Sequence, residues 1–123
     1  MKILIAEDDM DLMRLAETIL RGGGHAVIKA VDASQVLPRA QTGKPDLILL
    51  DINVPGGKGT DILTKLKRST LTSSIPVIMV SSVTDPQVHA LVAKEGAEGF
   101  LLKPWNPETF IQDLKKLSPF LPW

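Results

Sequence analysis

Leu47-Ile48-Leu49-Leu50-Asp51-Ile52-Asn53-Val54-Pro55 decides the reading of this chain. Four apolar residues in a row, with no polar residue alternating among them, describe a strand buried on both faces, and such strands belong to parallel sheets covered by helices. The run ends on an acid, Asp51, followed by the turn formers Asn53 and Pro55. Two other runs share the pattern: Ile3-Leu4-Ile5-Ala6, which leads into Glu7, Asp8 and Asp9, and Val77-Ile78-Met79-Val80, which leads into Ser81 and Ser82. Ala26–Ala30 and Gly99–Leu102 are the remaining strand candidates. The mixed character of Ala26–Ala30 suits an edge.

Helical patterns lie between the strands. Leu12, Leu15, Ala16, Ile19 and Leu20 share one helical face, and Gly22-Gly23-Gly24 stops that helix. Ile62, Leu63 and Leu66 mark a second helix after the glycine-rich stretch 56–59. Asp85-Pro86 and Asn106-Pro107 each set a capping residue before a proline suited to the first helical position. Val88, Leu91 and Val92 follow the first pair; Phe110, Ile111, Leu114 and Leu117 follow the second. Pro38 interrupts the stretch 33–41. An interior proline costs roughly 3 kcal/mol, so that helix is expected to be kinked or to begin late, near Leu37. Strand and helix thus alternate five times, which implies an α/β fold: a doubly wound, five-stranded parallel sheet with right-handed crossovers. In such a fold the ligand site lies outside the carboxyl ends of the central strands.

Composition narrows the function. The chain has 123 residues, 44% of them hydrophobic, and 14 basic against 14 acidic residues. One domain fits that length, and the balanced charge argues against non-specific nucleic-acid binding. Cysteine is absent, which excludes disulfides, thiolate metal sites and cysteine nucleophiles. No apolar run is long enough to span a bilayer, and the opening Met1–Ile5 is too short for a signal peptide. A cytoplasmic domain with no membrane contact is expected. His25 and His89 have no ligand-like spacing and read as surface or edge residues.

The strand ends bring together Glu7, Asp8, Asp51, Ser81, Ser82 and Lys103. Carboxylates so close cannot all stay ionised and unpaired without cost. Lys103 offsets one charge, and a hard divalent cation, Mg²⁺ or Mn²⁺, would offset more through oxygen ligands. A metal, a lysine and a hydroxyl are also what a phosphoryl group in transfer needs, and aspartate is a covalent nucleophile in such chemistry. The residues therefore point to metal-assisted formation of an aspartyl phosphate on Asp51. Plainer readings stand beside this one. Asp9 is a first-turn acid or the cap of the first helix, Asn53 is a turn former, and Gly56, Gly57 and Gly59 serve loop geometry.

The pair Glu7-Asp8, the segment Asp51-Ile52-Asn53-Val54-Pro55 with Gly59, the hydroxyl of Ser81 and Lys103-Pro104 stand in that order along the whole chain. In this it resembles the receiver domain of bacterial response regulators, the phosphorylatable half of two-component signalling. The resemblance implies a flavodoxin-like (βα)5 sheet of strand order 2-1-3-4-5. It implies Asp51 as phosphoacceptor. Asp8 and Asp51 would bind Mg²⁺, with Glu7 acting through water and Asn53 through its backbone carbonyl. Ser81 and Lys103 would bind the phosphoryl group, and Ser81 with Phe100 would act as the switch. A cis peptide is implied at Lys103–Pro104, with Pro104 in a structural role. The implied partners are a sensor histidine kinase or phosphotransfer protein, and a downstream protein on the face of the fourth helix, fifth strand and fifth helix. The domain would be a monomer or a phosphorylation-linked homodimer, catalysing only its own phosphorylation and dephosphorylation.

Three positions depart from the family pattern. Val54 stands where methionine is frequent, Ser81 replaces threonine, and Phe100 lacks the hydroxyl of the usual tyrosine. None removes a group that the chemistry requires.

Residues 1–118 are read as the receiver. Residues 119–123 form a tail or the start of a removed linker, with Phe120, Leu121 and Trp123 either packing back or docking a partner. With no effector domain in sight, the chain reads as a stand-alone regulator or an excised domain. Rival functions are a phosphorylation-independent receiver-like scaffold, a small Asp-nucleophile phosphohydrolase of the haloacid-dehalogenase type, and a flavin carrier of the same fold. The phosphohydrolase family needs an acid where Asn53 stands. A flavin carrier needs a phosphate loop after the first strand, where this chain has Glu7-Asp8-Asp9 instead.

Overall fold

A computed structural model describes residues 1–82 and 85–123. The chain runs β1 (Lys2–Ala6), α1 (Met10–Gly22), β2 (Ala26–Ala30), α2 (Ala33–Gly43), β3 (Leu47–Asp51), α3 (Gly59–Arg68), β4 (Val77–Ser81), α4 (Pro86–Lys94), β5 (Gly99–Leu102) and α5 (Phe110–Leu117). All strand pairings are parallel, in the order β2-β1-β3-β4-β5. The (βα)5 architecture and strand order expected from the sequence are therefore observed, with the mixed strand β2 at one edge.

The continuous apolar runs divide by the two-residue period of a strand. Leu4, Ala6, Ile48, Leu50, Val77 and Met79 face one layer, where Val36, Ala40, Ile62, Leu63, Leu66 and Val92 of α2, α3 and α4 cover them. Ile3, Ile5, Leu47, Leu49, Ile78 and Val80 face the other, under Met13, Ala16 and Leu20 of α1 and Phe110 and Leu114 of α5. Full burial of each such Ile or Leu contributes roughly 2 kcal/mol before entropy is charged against it. Met13 is a core residue that the Leu12–Leu20 periodicity left out; Leu12, Leu15 and Ile19 are only half-buried.

The helix starts differ from expectation in two places. α2 begins at Ala33 despite Pro38. Asp32 caps it by accepting from the Gln35 amide at 3.2 Å, while the Gln35 side chain accepts from the Val31 amide at 2.9 Å. This capping and the burial of Val36 and Ala40 offset the bond that Pro38 cannot donate. α5 begins at Phe110, not at Pro107. The Asn106 side chain accepts from the Glu108 amide (3.0 Å) and its carbonyl from the Thr109 amide (3.1 Å), closing a separate turn first. Asp9 and Asp85 do cap α1 and α4, Asp85 with Pro86 at the first helical position.

Leu121 and Trp123 pack against the α1/α5 layer. The Trp123 indole donates to the Ser118 carbonyl at 2.8 Å and meets the His25 ring edge-on, centroids 5.5 Å apart. His25 is consequently buried, not a surface residue, and its Nδ1 lies 3.2 Å from the Met1 amino group. Among the described residues no helix is long and apolar enough to cross a membrane.

Candidate functional site

Parallel register puts the ends of β1, β3, β4 and β5 on one rim. Ala6 pairs with Leu50, Asp51 with Val80, and Ser81 with Leu102. The residues immediately beyond, Glu7, Asp8, Asn53 and Lys103, must then gather around Asp51. One carboxylate oxygen from each of Glu7, Asp8 and Asp51 lies within 4.8 Å of the others. Glu7 and Asp51 are buried and Asp8 is exposed. Such a set, open to solvent on the Asp8 side and made only of oxygens, suits a hard divalent cation.

Lys103 reaches this cluster from the end of β5. Its ammonium ion-pairs with both Asp51 Oδ2 and Glu7 Oε1. Burial alone would pull the lysine down, but its hydrogen bonds to Asp51 and Glu7 outweigh that and hold it above its ordinary value. Burial pushes Glu7 above the usual carboxylate range, and the nearby Asp51 charge adds to this. The Lys103 bond and the Asp9 amide, which donates to Glu7 Oε2 at 3.1 Å, oppose the rise without cancelling it. Glu7 Oε1 is engaged by the Lys103 ammonium. Two buried carboxylates against one ammonium leave negative charge to be met, which agrees with a cation site.

Asp51 is oriented by the Asn53 amide, which donates to its Oδ1 at 2.9 Å. Behind it, the Gly59 amide donates to the Ile52 carbonyl at 2.7 Å. A Cβ on Gly59 would fall 2.4 Å from the Asp51 carbonyl oxygen and 2.6 Å from Ile52 Cα. Gly59 is thus required for close approach of α3 to the acceptor, whereas Gly56, with φ of +85°, serves the turn.

Ser81 is buried at the end of β4 and lines a cavity of about 200 Å³ with Ile52, Asn53, Asp85 and Val88. Asp85 carried only a capping role in the sequence; it lines this cavity from its position at the start of α4. Phe100 lies apart from the carboxylates. It is half-buried on β5 and stacks on His89 with centroids 3.8 Å apart, beside a second cavity of about 230 Å³. The Lys103–Pro104 peptide is cis. Trp105, next along, is buried against Phe110, and its indole N–H has no acceptor among the described residues.

Residues 3–115 match the family model described as response regulator receiver domain. The chain is 32% identical over 110 residues to the DNA-binding response regulator MtrA of Mycolicibacterium smegmatis, covering 89% of this chain and 47% of that protein. It is 29% identical over 122 residues to the phosphate regulon transcriptional regulatory protein PhoB of Escherichia coli, covering 96% and 53%. The chain thus spans about half the length of the curated relatives it matches. Among solved structures, the chemotaxis response regulator CheY4 of Vibrio cholerae superposes with a TM-score of 0.88 at 28% identity, over 94% of this chain and 97% of that one.

Proposed function

The chain belongs to the response-regulator receiver family of two-component signalling, and from that premise we propose that Asp51 accepts a phosphoryl group from the phosphohistidine of a sensor kinase or phosphotransfer protein. The observation that carries this is the bridging of Asp51 and Glu7 by Lys103 within a cluster completed by Asp8. The carboxylates of Glu7, Asp8 and Asp51 and the backbone carbonyl of Asn53 would hold Mg²⁺, or Mn²⁺ in its place, Glu7 through water. The bound ion supplies positive charge against these acids and the equatorial phosphoryl oxygens.

An Asp51 carboxylate oxygen attacks phosphorus in line, the phosphorus–nitrogen bond breaks, and the imidazole departs with its proton. Asn53 fixes the rotamer of the nucleophile. Lys103 holds one phosphoryl oxygen and the Ser81 hydroxyl another. The new contact at Ser81 then biases a two-state equilibrium to which Phe100, one strand away, contributes by its packing. The readout face is that of α4, β5 and α5, and a downstream protein or a second receiver docks there. Catalysis is confined to the domain's own phosphorylation and dephosphorylation. Residues 1–118 make up the receiver and 119–123 a tail upon it, in a cytoplasmic protein. Protein partners, not nucleic acid, are proposed for these 123 residues, whose charge is balanced. Relatives named as DNA-binding or transcriptional regulators are about twice as long.

Intact-mass spectrometry after incubation with acetyl phosphate tests the reading. One phosphoryl adduct is expected that needs Mg²⁺ and is lost in Asp51→Ala, whose far-UV spectrum stays native. Labelling retained by that variant rejects Asp51. Failure of the wild type to take up either phosphoryl or beryllofluoride favours a phosphorylation-independent scaffold.

A further inference from the structure

We infer that Asp85 sets which phosphodonor this receiver accepts: it lines the Asn53–Ser81 cavity, and its charge favours donors that enter with a positively charged nitrogen and expel a neutral group over donors that expel an anion. The inference rests on Asp51 being the acceptor.

Lys103 occupies Asp51 Oδ2 from the side of Glu7. Asn53, which bonds the other oxygen, and Ser81 line the cavity of about 200 Å³ at the strand ends. In-line displacement sets the leaving group opposite the attacking oxygen, outside the strand ends. The room beside Asn53 and Ser81 is this cavity. Its other described walls are Ile52 and Val88, both apolar, so Asp85 is the charged member among the described lining residues. Asp85 is held there by a bond from the Gln87 amide to its Oδ1 at 2.9 Å, at the start of α4.

The charge acts differently on different donors. Phosphoramidate carries a positive nitrogen as it enters. Its phosphorus–nitrogen bond breaks as the Asp51 oxygen–phosphorus bond forms, and neutral ammonia leaves. A phosphoimidazole protonated on its ring behaves in the same way. Acetyl phosphate brings a dianion and expels acetate, keeping its negative charge throughout. A fixed carboxylate on the exit path attracts the first class and repels the second.

Capping and charge are separable at this position. Asparagine and serine cap helices about as well as aspartate, so Asp85→Asn and Asp85→Ser keep α4 and remove only the charge. The experiment measures second-order rates of Asp51 labelling by acetyl phosphate and by phosphoramidate, with Mg²⁺, at low and high ionic strength. Both variants are expected to gain about five-fold with acetyl phosphate and to be unchanged or slower with phosphoramidate, with the difference shrinking in high salt. Equal changes with both donors, no change with either, a gain in only one variant, or a salt-independent effect overturns the role of Asp85 while leaving Asp51 as acceptor. No labelling of the wild type by either donor overturns the proposed function, and this inference falls with it.

Discussion

At the carboxyl ends of β1, β3 and β5, two buried acids share one ammonium, and a third acid stands beside them in solvent. At the amino end of the same sheet, His25 lies beside the Met1 amino group and meets the Trp123 ring edge-on. Both ends bury polar groups, but on different terms. The first end concentrates like charge and leaves Glu7 above its usual range, an arrangement that costs stability until a cation or phosphoryl group arrives. The second covers one imidazole with aromatic surface. Fold stability and chemistry are thereby assigned to opposite ends of the strands, and substitutions should separate them.

Lys103→Met should have the largest effect and should break both properties at once. Without the ammonium, Glu7 and Asp51 stay buried against each other. Labelling of Asp51 should slow at least about a hundred-fold. Stability in urea should fall by about 2 kcal/mol, part of which Mg²⁺ restores by binding the folded state. A variant as stable as wild type without Mg²⁺ would show that the acids are not strained by one another.

Trp123→Ala should come next and touch only stability. The ring is partly exposed, so the loss should be about 1–2 kcal/mol, below that of a full core aromatic. The labelling rate should match wild type, and a slower rate would mean that the two ends are coupled.

The smallest effect concerns His25. Burial first, and the Met1 ammonium second, lower its folded value below the ordinary 6.5. The unfolded chain therefore takes up a proton before the folded one does, and stability is lost as pH falls through that ordinary value and on through the lowered one. Urea midpoints measured at about pH 7.5 and about pH 5 should differ more for wild type than for His25→Gln. Equal differences would show that other groups govern this window.

The sheet was legible because burial on both faces removes the polar residues that would blur a strand, as at Leu47–Leu50. The site was legible because parallel register carries every strand terminus to one rim, so Asp51, Glu7 and Lys103 could be joined before any distance was known. Less could be read where long-range contact overrides local pattern. Pro38 stays inside α2 because the Asp32 cap and the buried Val36 before it, and the buried Ala40 after it, hold the helix. Asn106-Pro107 has the signature of a helix start and instead closes a turn. His25 read as a surface or edge residue because no local pattern marks its cover, which comes from Trp123 at the far end of the chain. Asp85 showed its capping role but not its place on the cavity, since no periodicity relates it to Asn53.

Gly59 touches the acceptor strand with its backbone alone. The position has no side chain to lose, only one to gain. Replacing residues one by one with alanine measures what each side chain contributes; at Gly59 the same operation adds bulk against the Asp51 carbonyl. An alanine scan would score this position beside the charged residues and invite a chemical role for it. What it registers there is tolerance to crowding, in a wall whose function is to stay bare.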